Sequence, residues 1–323
     1  MKIVNSDTSE EIKQLSTLSI VIVNWNTGDL LRKCINSLNE VCINNFKFEE
    51  IIIVDNNSTD ESLKDINFKL GNLRIIQNDK NLGFAKACNQ GGFSTQSEYI
   101  LFLNPDTKIE KNSLSKVISF MSLKSSNEIG ICGTYLYGEN NKFSISAAKF
   151  PTFKILLNEI LGFSKVLPKI FESHLLNEEE SCSSGLVEQI IGAFFFVRSK
   201  VFMELNGFDE RFFVYFEEVD FSKRAAEKGY FSYLMSDVSN YHLGGGSSNN
   251  VVGKRLFYSI SSRLKYTKKH FKYYQHIFIF LLSLFVEPVV RLFYLIASLN
   301  FKDILSLFYG YMSLFKSLFI REK

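Results

Sequence analysis

The first 125 residues alternate short, continuous apolar runs with amphipathic ones. "LSIVIV" (Leu18–Val23) and "IIIVD" (Ile51–Asp55) are rich in β-branched residues and bounded by polar turn formers, the pattern of strands buried on both faces. Between them "DLLRKCINSL" sets Leu30, Leu31, Cys34, Ile35 and Leu38 at helical spacing. "LRIIQ" (Leu73–Gln77) and "YILFL" (Tyr99–Leu103) supply a third and fourth strand, with a helix from about Phe84 to Ser94 between them. Ser58 and Glu61 have the spacing of a capping box, which predicts a helix opening after the second strand. Such alternation predicts an α/β fold with a mostly parallel central sheet flanked by helices. Farther on, "VEQIIGAFFFVRSKVFMELNGF" predicts a strand to about Val197 and a short helix ended by Gly207, and "VDFSKRAAEKG" a helix stopped by Gly229. Residues 138–186 carry no firm pattern.

Asn24, Asn26, Asp55, Asn57, Asn104 and Asp106 all fall at or just past the ends of these strands, the edge where open α/β sheets bind ligands. No G-x-G-x-x-G follows the first strand and there is no Walker lysine loop, so neither a dinucleotide fold nor a P-loop is supported. The cysteines number five and form no CxxC pair, which argues against a disulfide framework or a zinc ribbon and fits a reducing cytosol. The opening "MKIVNSDTSEEIKQ" lacks the apolar core of a secretory signal, so export is not predicted and residues 1–17 read as a polar tail.

Charge changes the picture at the other end. The whole chain carries +3, yet from residue 250 onward twelve basic residues face three acidic ones. "RLKYTKKHFKYY" precedes an apolar stretch from Ile277 to Leu299 that is interrupted by Glu287, Pro288 and Arg291. Central charges cost about 2.5–3.5 kcal/mol each on insertion, which disfavours a simple spanning helix relative to a helical hairpin or paired helices in the interface. Ile304, Leu307, Phe308, Tyr311, Phe315, Leu318 and Phe319 are expected on one side of a last, amphipathic helix. These features predict peripheral attachment to the anionic, cytoplasmic face of a membrane. A helical bundle that packs or dimerises, giving a homo-oligomer, is the alternative, and nothing points to a nucleic-acid partner.

The ordered motifs "SIVIVNWNTGDLL", "IIIVDNNSTDES", "NLGFAKACNQG", "LFLNPDT", "GAFFFVRSKVF", "NGFDERFFVYFEEVDFSKRA" and "YHLGGGSS" resemble those of family 2 glycosyltransferases, in particular the bacterial rhamnosyltransferase-like branch. The resemblance spans residues 18–248. It implies a GT-A fold, with a nucleotide-binding half (18–125), an acceptor and catalytic half (126–248) and a helical C-terminal region (249–323). It also implies a nucleotide-diphosphate sugar donor, a divalent metal (Mg²⁺ or Mn²⁺) and inversion at the anomeric carbon. Rhamnose from dTDP-rhamnose is the favoured donor and a cell-surface or lipid-linked glycan the acceptor.

The same resemblance implies residue roles. Asp55 would meet the base, though by itself it could merely turn the chain. Asn24, Asn26, Asn57, Asn81, Gly83, Asn89 and Asn104 would surround the nucleotide sugar, with Gly83 admitting close backbone approach. Asp106 would hold the metal, joined by His242, because hard oxygen ligands and imidazole bind such ions while phosphate oxygens complete the shell. Asn104 departs from the acidic residue many relatives have there, leaving fewer charges at the site. Glu218 aligns with the family's general base. Gly192, Ala193 and Glu217 would face the acceptor, while Asp220 and Arg224 suit a structural i, i+4 pair. A catalytically silent sugar-nucleotide or glycan-binding protein, or a UDP-hexose-dependent transferase, are the other readings. A nucleotidyltransferase would need a Gly-rich basic loop after the first strand, which "NWNTGD" does not supply.

Overall fold

The computed structural model describes residues 15–167, 169–171, 173–244 and 252–319. The polar tail expected over residues 1–17 lies outside this range up to residue 14, and so does the glycine-rich end of "YHLGGGSS" past Gly244.

The first strand, β1 (Ser16–Asn24), leads into α1 (Asp29–Leu38) and returns as β2 (Phe46–Asp55). Then come β3 (Asn72–Gln77), α2 (Phe84–Gly92), β4 (Tyr99–Leu103), the short β5 (Thr107–Lys108), α3 (Ser113–Met121) and β6 (Ile129–Tyr137). The stretch without a readable pattern holds small pieces: β7 (Phe143–Ser144), β8 (Ala147–Ala148), α4 (Phe153–Ile160), α5 (Phe163–Val166), α6 (Glu178–Ser181), β9 (Gly185–Val187) and β10 (Gln189–Ile190). After it follow β11 (Phe194–Arg198), α7 (Ser199–Glu204), α8 (Glu217–Glu227) and β12 (Phe231–His242).

The main sheet runs β3-β2-β1-β4-β11-β6-β12-β5, with β7 added on β6 and β9 on β12. Its first four strands are mutually parallel, β11 is antiparallel to both neighbours, and β12 returns parallel to β6. The continuous apolar runs are explained by helices on both faces. Leu18, Ile20, Ile51 and Ile53 point to the side of α1 and α3, where they meet Leu31, Ile35 and Val117. Val21, Val23, Ile52 and Val54 point to the side of α2, α7 and α8, where Ala85, Phe202 and Phe221 close the core.

One expectation fails between β2 and β3. No helix opens at Ser58, and residues 60–65 form bends and turns. The Ser58 hydroxyl donates to Asp55 Oδ1 at 2.6 Å and accepts from the Asn26 amide at 3.0 Å, so it ties two strand ends together and does not cap Glu61.

The C-terminal region comprises α9 (Val252–His270), α10 (Tyr273–Leu281), a π turn over Leu282–Val286, α11 (Glu287–Ala297) and α12 (Ile304–Phe319). The π turn fuses α10 and α11 into one 25-residue helix, Tyr273–Ala297, long and apolar enough to cross a membrane by length and composition. The charges that make a spanning helix costly in the sequence are paired inside the bundle. Glu287 is buried and bonded to Arg263 of α9 and to Arg291, so the desolvation cost is met inside the protein. α4, α9, α10–α11 and α12 share a core of Leu156, Ile160, Ile260, Leu264, Ile279 and Leu314. The expected one-sided stripe on α12 is also revised. Leu307 and Tyr311 are buried with Leu314, whereas Phe308 and Leu318 point outward, and the side chain of Phe319 lies outside the described residues.

Candidate active site

A cavity of about 480 Å³ opens at the C-terminal ends of β1, β2 and β4. Its wall on that side is Val23, Trp25, Thr27, Asn56, Asn81, Gly83, Asn104, Pro105 and Asp106; the opposite wall is a strap, Phe213–Tyr215, with Lys254, Arg255 and Tyr258 of α9.

Behind the strand ends lies a preassembled polar network of which only Thr27 lines the cavity; Asp55, expected against the base, is buried and outside the lining. Asn24 is fully buried, donating to Asp55 Oδ1 at 2.7 Å and to the Ser62 hydroxyl at 2.8 Å, while its own oxygen accepts from Thr27 at 2.5 Å. Asp55 accepts in addition from the Ser58 hydroxyl and backbone N–H. Asn24 is thereby spent on orienting Asp55 and does not line the cavity, a correction to its expected place around the ligand. Asn26 likewise turns its oxygen to the Thr59 N–H at 2.7 Å, and Asn57 is exposed; both sit at positive φ, as turn residues, outside the lining. Asn56, which sequence reasoning passed over, lines the cavity and donates to the Gly83 carbonyl at 3.1 Å.

Asn81 accepts from the Gly83 N–H at 2.9 Å, closing the loop ahead of α2. Gly83 has φ +90°, and a Cβ there would lie 2.6 Å from the Phe213 carbonyl oxygen. The close approach it permits is therefore with the strap, whose Phe213 carbonyl accepts from Phe84 N–H at 2.6 Å. Asn89 is on the far side of α2. Its amide donates to the Phe208 carbonyl and its oxygen accepts from the Phe208 N–H, both at 2.8 Å, so it fastens the loop before α8 and is not a ligand contact.

At the tip of β4 the Asn104 N–H donates to the Ala193 carbonyl at 3.1 Å, and Asn104 O accepts from the Thr107 N–H at 3.1 Å. This turn aims Asp106 into the cavity. His242, the last residue of β12, brings Nε2 to 3.4 Å from Asp106 Oδ1, while its Nδ1 sits 3.3 Å from the Ser144 hydroxyl. Ala193 is buried and acts through its carbonyl; neither it nor Gly192 lines the cavity. Among the described residues no three His, Cys, Asp or Glu side chains cluster as a closed metal site. One carboxylate and one imidazole at this distance fit a divalent cation that draws its remaining ligands from phosphate oxygens and water.

α8 begins with Glu217 and Glu218. One oxygen of each carboxylate is buried without a hydrogen-bond partner among the described residues. Burial raises both pKa values, Glu217 well above the ordinary carboxylate range, with the neighbouring Glu218 charge adding to its shift; the backbone and His174 partly offset the shift of Glu218. Neither lines the 480 Å³ cavity itself. The pair follows directly on Tyr215, a wall residue, and Phe216, both at φ +68°. Two consecutive aromatics in the left-handed region carry about 1–3 kcal/mol of strain each and persist only where surrounding contacts over-determine them.

Those contacts come from α9. Phe213 stacks on Tyr258 at 4.6 Å and 14°, the Ser262 hydroxyl donates to the Val214 carbonyl at 2.8 Å, and Lys265 donates to the Arg211 carbonyl at 2.7 Å. Asp220, fully buried one turn into α8, binds Arg224 at 2.7 Å as expected and also Lys269 at 2.6 Å and His270 at 2.7 Å. Several charges of the basic tail are thus spent inward on α8 and the loop before it. No pattern in the sequence joined "RLKYTKKH" to "FEEVD", since they meet only in space.

A model of glycosyl transferase family 2 matches residues 19–199. The rhamnosyltransferase WbbL of Escherichia coli (strain K12) is 26% identical over 173 residues, 52% of this chain and 61% of that protein, so the match spans about three fifths of the relative's length. The N-acetylglucosaminyl-diphospho-decaprenol L-rhamnosyltransferase of Mycobacterium tuberculosis is 23% identical over 238 residues, 70% of this chain and 75% of that one. Among solved structures, a mannosyltransferase from Pyrobaculum calidifontis in complex with GDP-Man and Mn²⁺ superposes with a TM-score of 0.56 at 12% identity, covering 96% of this chain and 89% of the other. GalNAc-T7 with UDP, GalNAc and Mn²⁺ gives 0.58 at 14% identity over 79% and 48%. At such identities the superpositions establish the fold alone, the GT-A arrangement.

Proposed function

The chain belongs to glycosyl transferase family 2, and from that premise we propose that it moves a sugar, inverting its anomeric carbon, from a nucleotide-diphosphate donor to a lipid-linked glycan at the cytoplasmic face of a membrane. Rhamnose carried on dTDP is the favoured donor, and the two rhamnosyltransferases named above support the choice of sugar. The observation that carries the reading is the approach of His242 to Asp106, which itself lines the cavity at the strand ends, at 3.4 Å.

In this mechanism Asp55, fixed by Asn24 and Ser58 just behind the wall residue Asn56, is the group proposed to accept from a ring N–H of the base. Asn56, Asn81 and the strap enclose the nucleotide, and Lys254 and Arg255 add positive charge beside its phosphates. Asp106 and His242 would hold a Mg²⁺ or Mn²⁺ ion, which when bound screens the charge that grows on the departing diphosphate. Glu218 takes the proton from the acceptor hydroxyl as that oxygen bonds the anomeric carbon and the bond to the diphosphate breaks. Its raised pKa makes it a stronger base than an exposed glutamate. Tyr215, strained at the cavity wall, and Glu217 hold the acceptor side.

Nucleotide release from a panel of UDP-, GDP- and dTDP-sugars, with Mn²⁺ or with EDTA, tests this. Release is expected with one donor, lost in EDTA and reduced at least a hundredfold in Asp106→Asn. Release unaffected by EDTA would remove the metal from the mechanism. No release from any donor would leave a sugar-nucleotide binding protein.

A further inference from the structure

A second cavity, about 880 Å³, lies between α4–α5 and α11–α12. It shares two wall residues, Tyr215 and Arg255, with the cavity at the strand ends, so the two spaces meet across one strained aromatic and one cation. Its lining is divided. Leu256, Val290, Phe293, Leu295 and Leu307 make an apolar side, while Lys165, Arg255 and Arg291 are its cations.

The carboxylates in this lining are engaged. Glu159 is held by His174 at 2.6 Å, Glu287 by Arg263 and Arg291, and Asp303 accepts from Asn300 at 2.7 Å. Lys165 differs. Among the described residues it has no carboxylate within ion-pair distance, and its ammonium sits 4.8 Å from the centre of the Tyr294 ring at the exposed edge. Partial burial and the nearby Arg291 charge depress its pKa, with the Glu287 charge acting the other way from beyond ion-pair distance. Around the mouth the bundle exposes Phe293, Tyr294 and Ile296.

We propose that this cavity is the acceptor entrance: it takes the phosphate headgroup and first apolar carbons of a long-chain lipid phosphate, with Lys165 on the phosphate, and passes the attached sugar by Tyr215 and Arg255 to the donor cavity. The inference rests on the glycosyl-transfer reading and names where its acceptor sits. A free phosphate would use Lys165 without needing the apolar wall, and a plain alcohol the reverse; only an amphiphile uses both. The rest of the chain would run out along the apolar exterior of α10–α11.

The test uses the full chain in phosphatidylcholine nanodiscs and farnesyl phosphate as probe, followed by ³¹P line broadening, with inorganic phosphate and farnesol as competitors. Farnesyl phosphate is expected to bind at least tenfold more tightly than either competitor. Lys165→Glu, at an exposed position, should weaken it tenfold or more, and Ala297→Trp, which adds bulk at an exposed lining position, should do the same without altering charge. Both variants should keep wild-type circular dichroism and wild-type nucleotide binding. Equal displacement by inorganic phosphate would mean a simple anion site, equal displacement by farnesol a non-specific apolar one, and wild-type binding in both variants would move the headgroup elsewhere; each overturns the proposal. Farnesyl phosphate binding without any turnover of nucleotide sugars would instead fail the functional reading and leave the site standing.

Discussion

Two pairs of neighbouring elements bury glutamates, and they do it in opposite ways. At the start of α8, Glu217 and Glu218 each leave one buried oxygen without a partner among the described residues, and burial pushes both pKa values up. Between α9 and α11, Glu287 is as deeply buried but surrounded by guanidinium groups: Arg291 donates to one oxygen, while Arg263 reaches both and is itself bonded to Ser283. A carboxylate kept short of donors holds on to protons and is fit to take one from an alcohol. A carboxylate saturated with donors is inert and fixes the packing of helices. The two readings of a buried acid are separated by its partners, not by its depth.

Replacing Glu218 is the largest expected break in this contrast. Glu218→Gln keeps shape and removes the base, so sugar transfer should fall about 10²–10⁴-fold while nucleotide affinity stays unchanged. The wild-type rate should also show an acidic limb displaced upward from the ordinary glutamate range near pH ~4.3. The sign follows from the shift. The neutral form is favoured in the folded state, so activity rises as pH climbs through the raised value, while folding stability falls over the same interval because the unfolded chain ionises this group earlier. A limb that persists unchanged in Glu218→Gln would assign the base to another residue.

Next in size is the other glutamate's shell. Arg263→Ala leaves Glu287 Oε2 without a donor while Arg291 still holds Oε1, and breaking a buried pair costs at most about 3–5 kcal/mol. Thermal unfolding should drop accordingly, whereas Arg263→Met combined with Glu287→Leu should recover most of the loss. If the single substitution is silent, the pair is not buried in solution and the contrast with α8 disappears. The same experiment on α9 reaches the candidate active site, because Ser262 on this helix holds the strap, Lys265 holds the Arg211 carbonyl just before it, and Lys269 and His270 hold Asp220.

That link marks what the sequence could and could not show. Strands β1, β2, β3 and β4 were legible because burial on both faces demands unbroken apolar runs, and Gly207 and Gly229 were legible as stops because the chain there turns through φ +69° and +85°. Asp106 and His242, singled out in two separate motifs, come within 3.4 Å of each other. The capping-box helix was not there, since Ser58 had a stronger use between Asp55 and Asn26. Asn24 and Asn89 were misread for a related reason: an asparagine at a strand end or on a helix looks the same whether it faces a ligand or braces the backbone. Lys269 and His270 read as parts of a lipid-facing tail because charge runs reveal sign but not direction. Arg255 and Tyr258 were missed outright, having no local signature that separates a cavity wall from a surface helix.

The smallest expected effect concerns the outside of the bundle. Tyr274, Phe278, Leu281, Phe285, Val289, Phe293 and Ile296 follow one another by three or four residues and are all exposed, and Lys272, Lys302 and Lys316 are exposed nearby. With Glu287 and Arg291 turned inward, this face can meet lipid without presenting the charges that made insertion costly in the sequence. Phe285 and Phe293 are 63% and 69% exposed, so replacing both by Ser should leave the fold and nucleotide binding intact. Full burial of one such side chain is worth about 1.5–3 kcal/mol, and partial insertion of two should make the double variant bind vesicles roughly tenfold more weakly. Flotation with vesicles of phosphatidylcholine and phosphatidylglycerol measures this, and raised salt should weaken the wild type further through the lysines. Unchanged flotation together with a change from dimer to monomer in sedimentation would give this face to a second copy of the chain in place of the membrane.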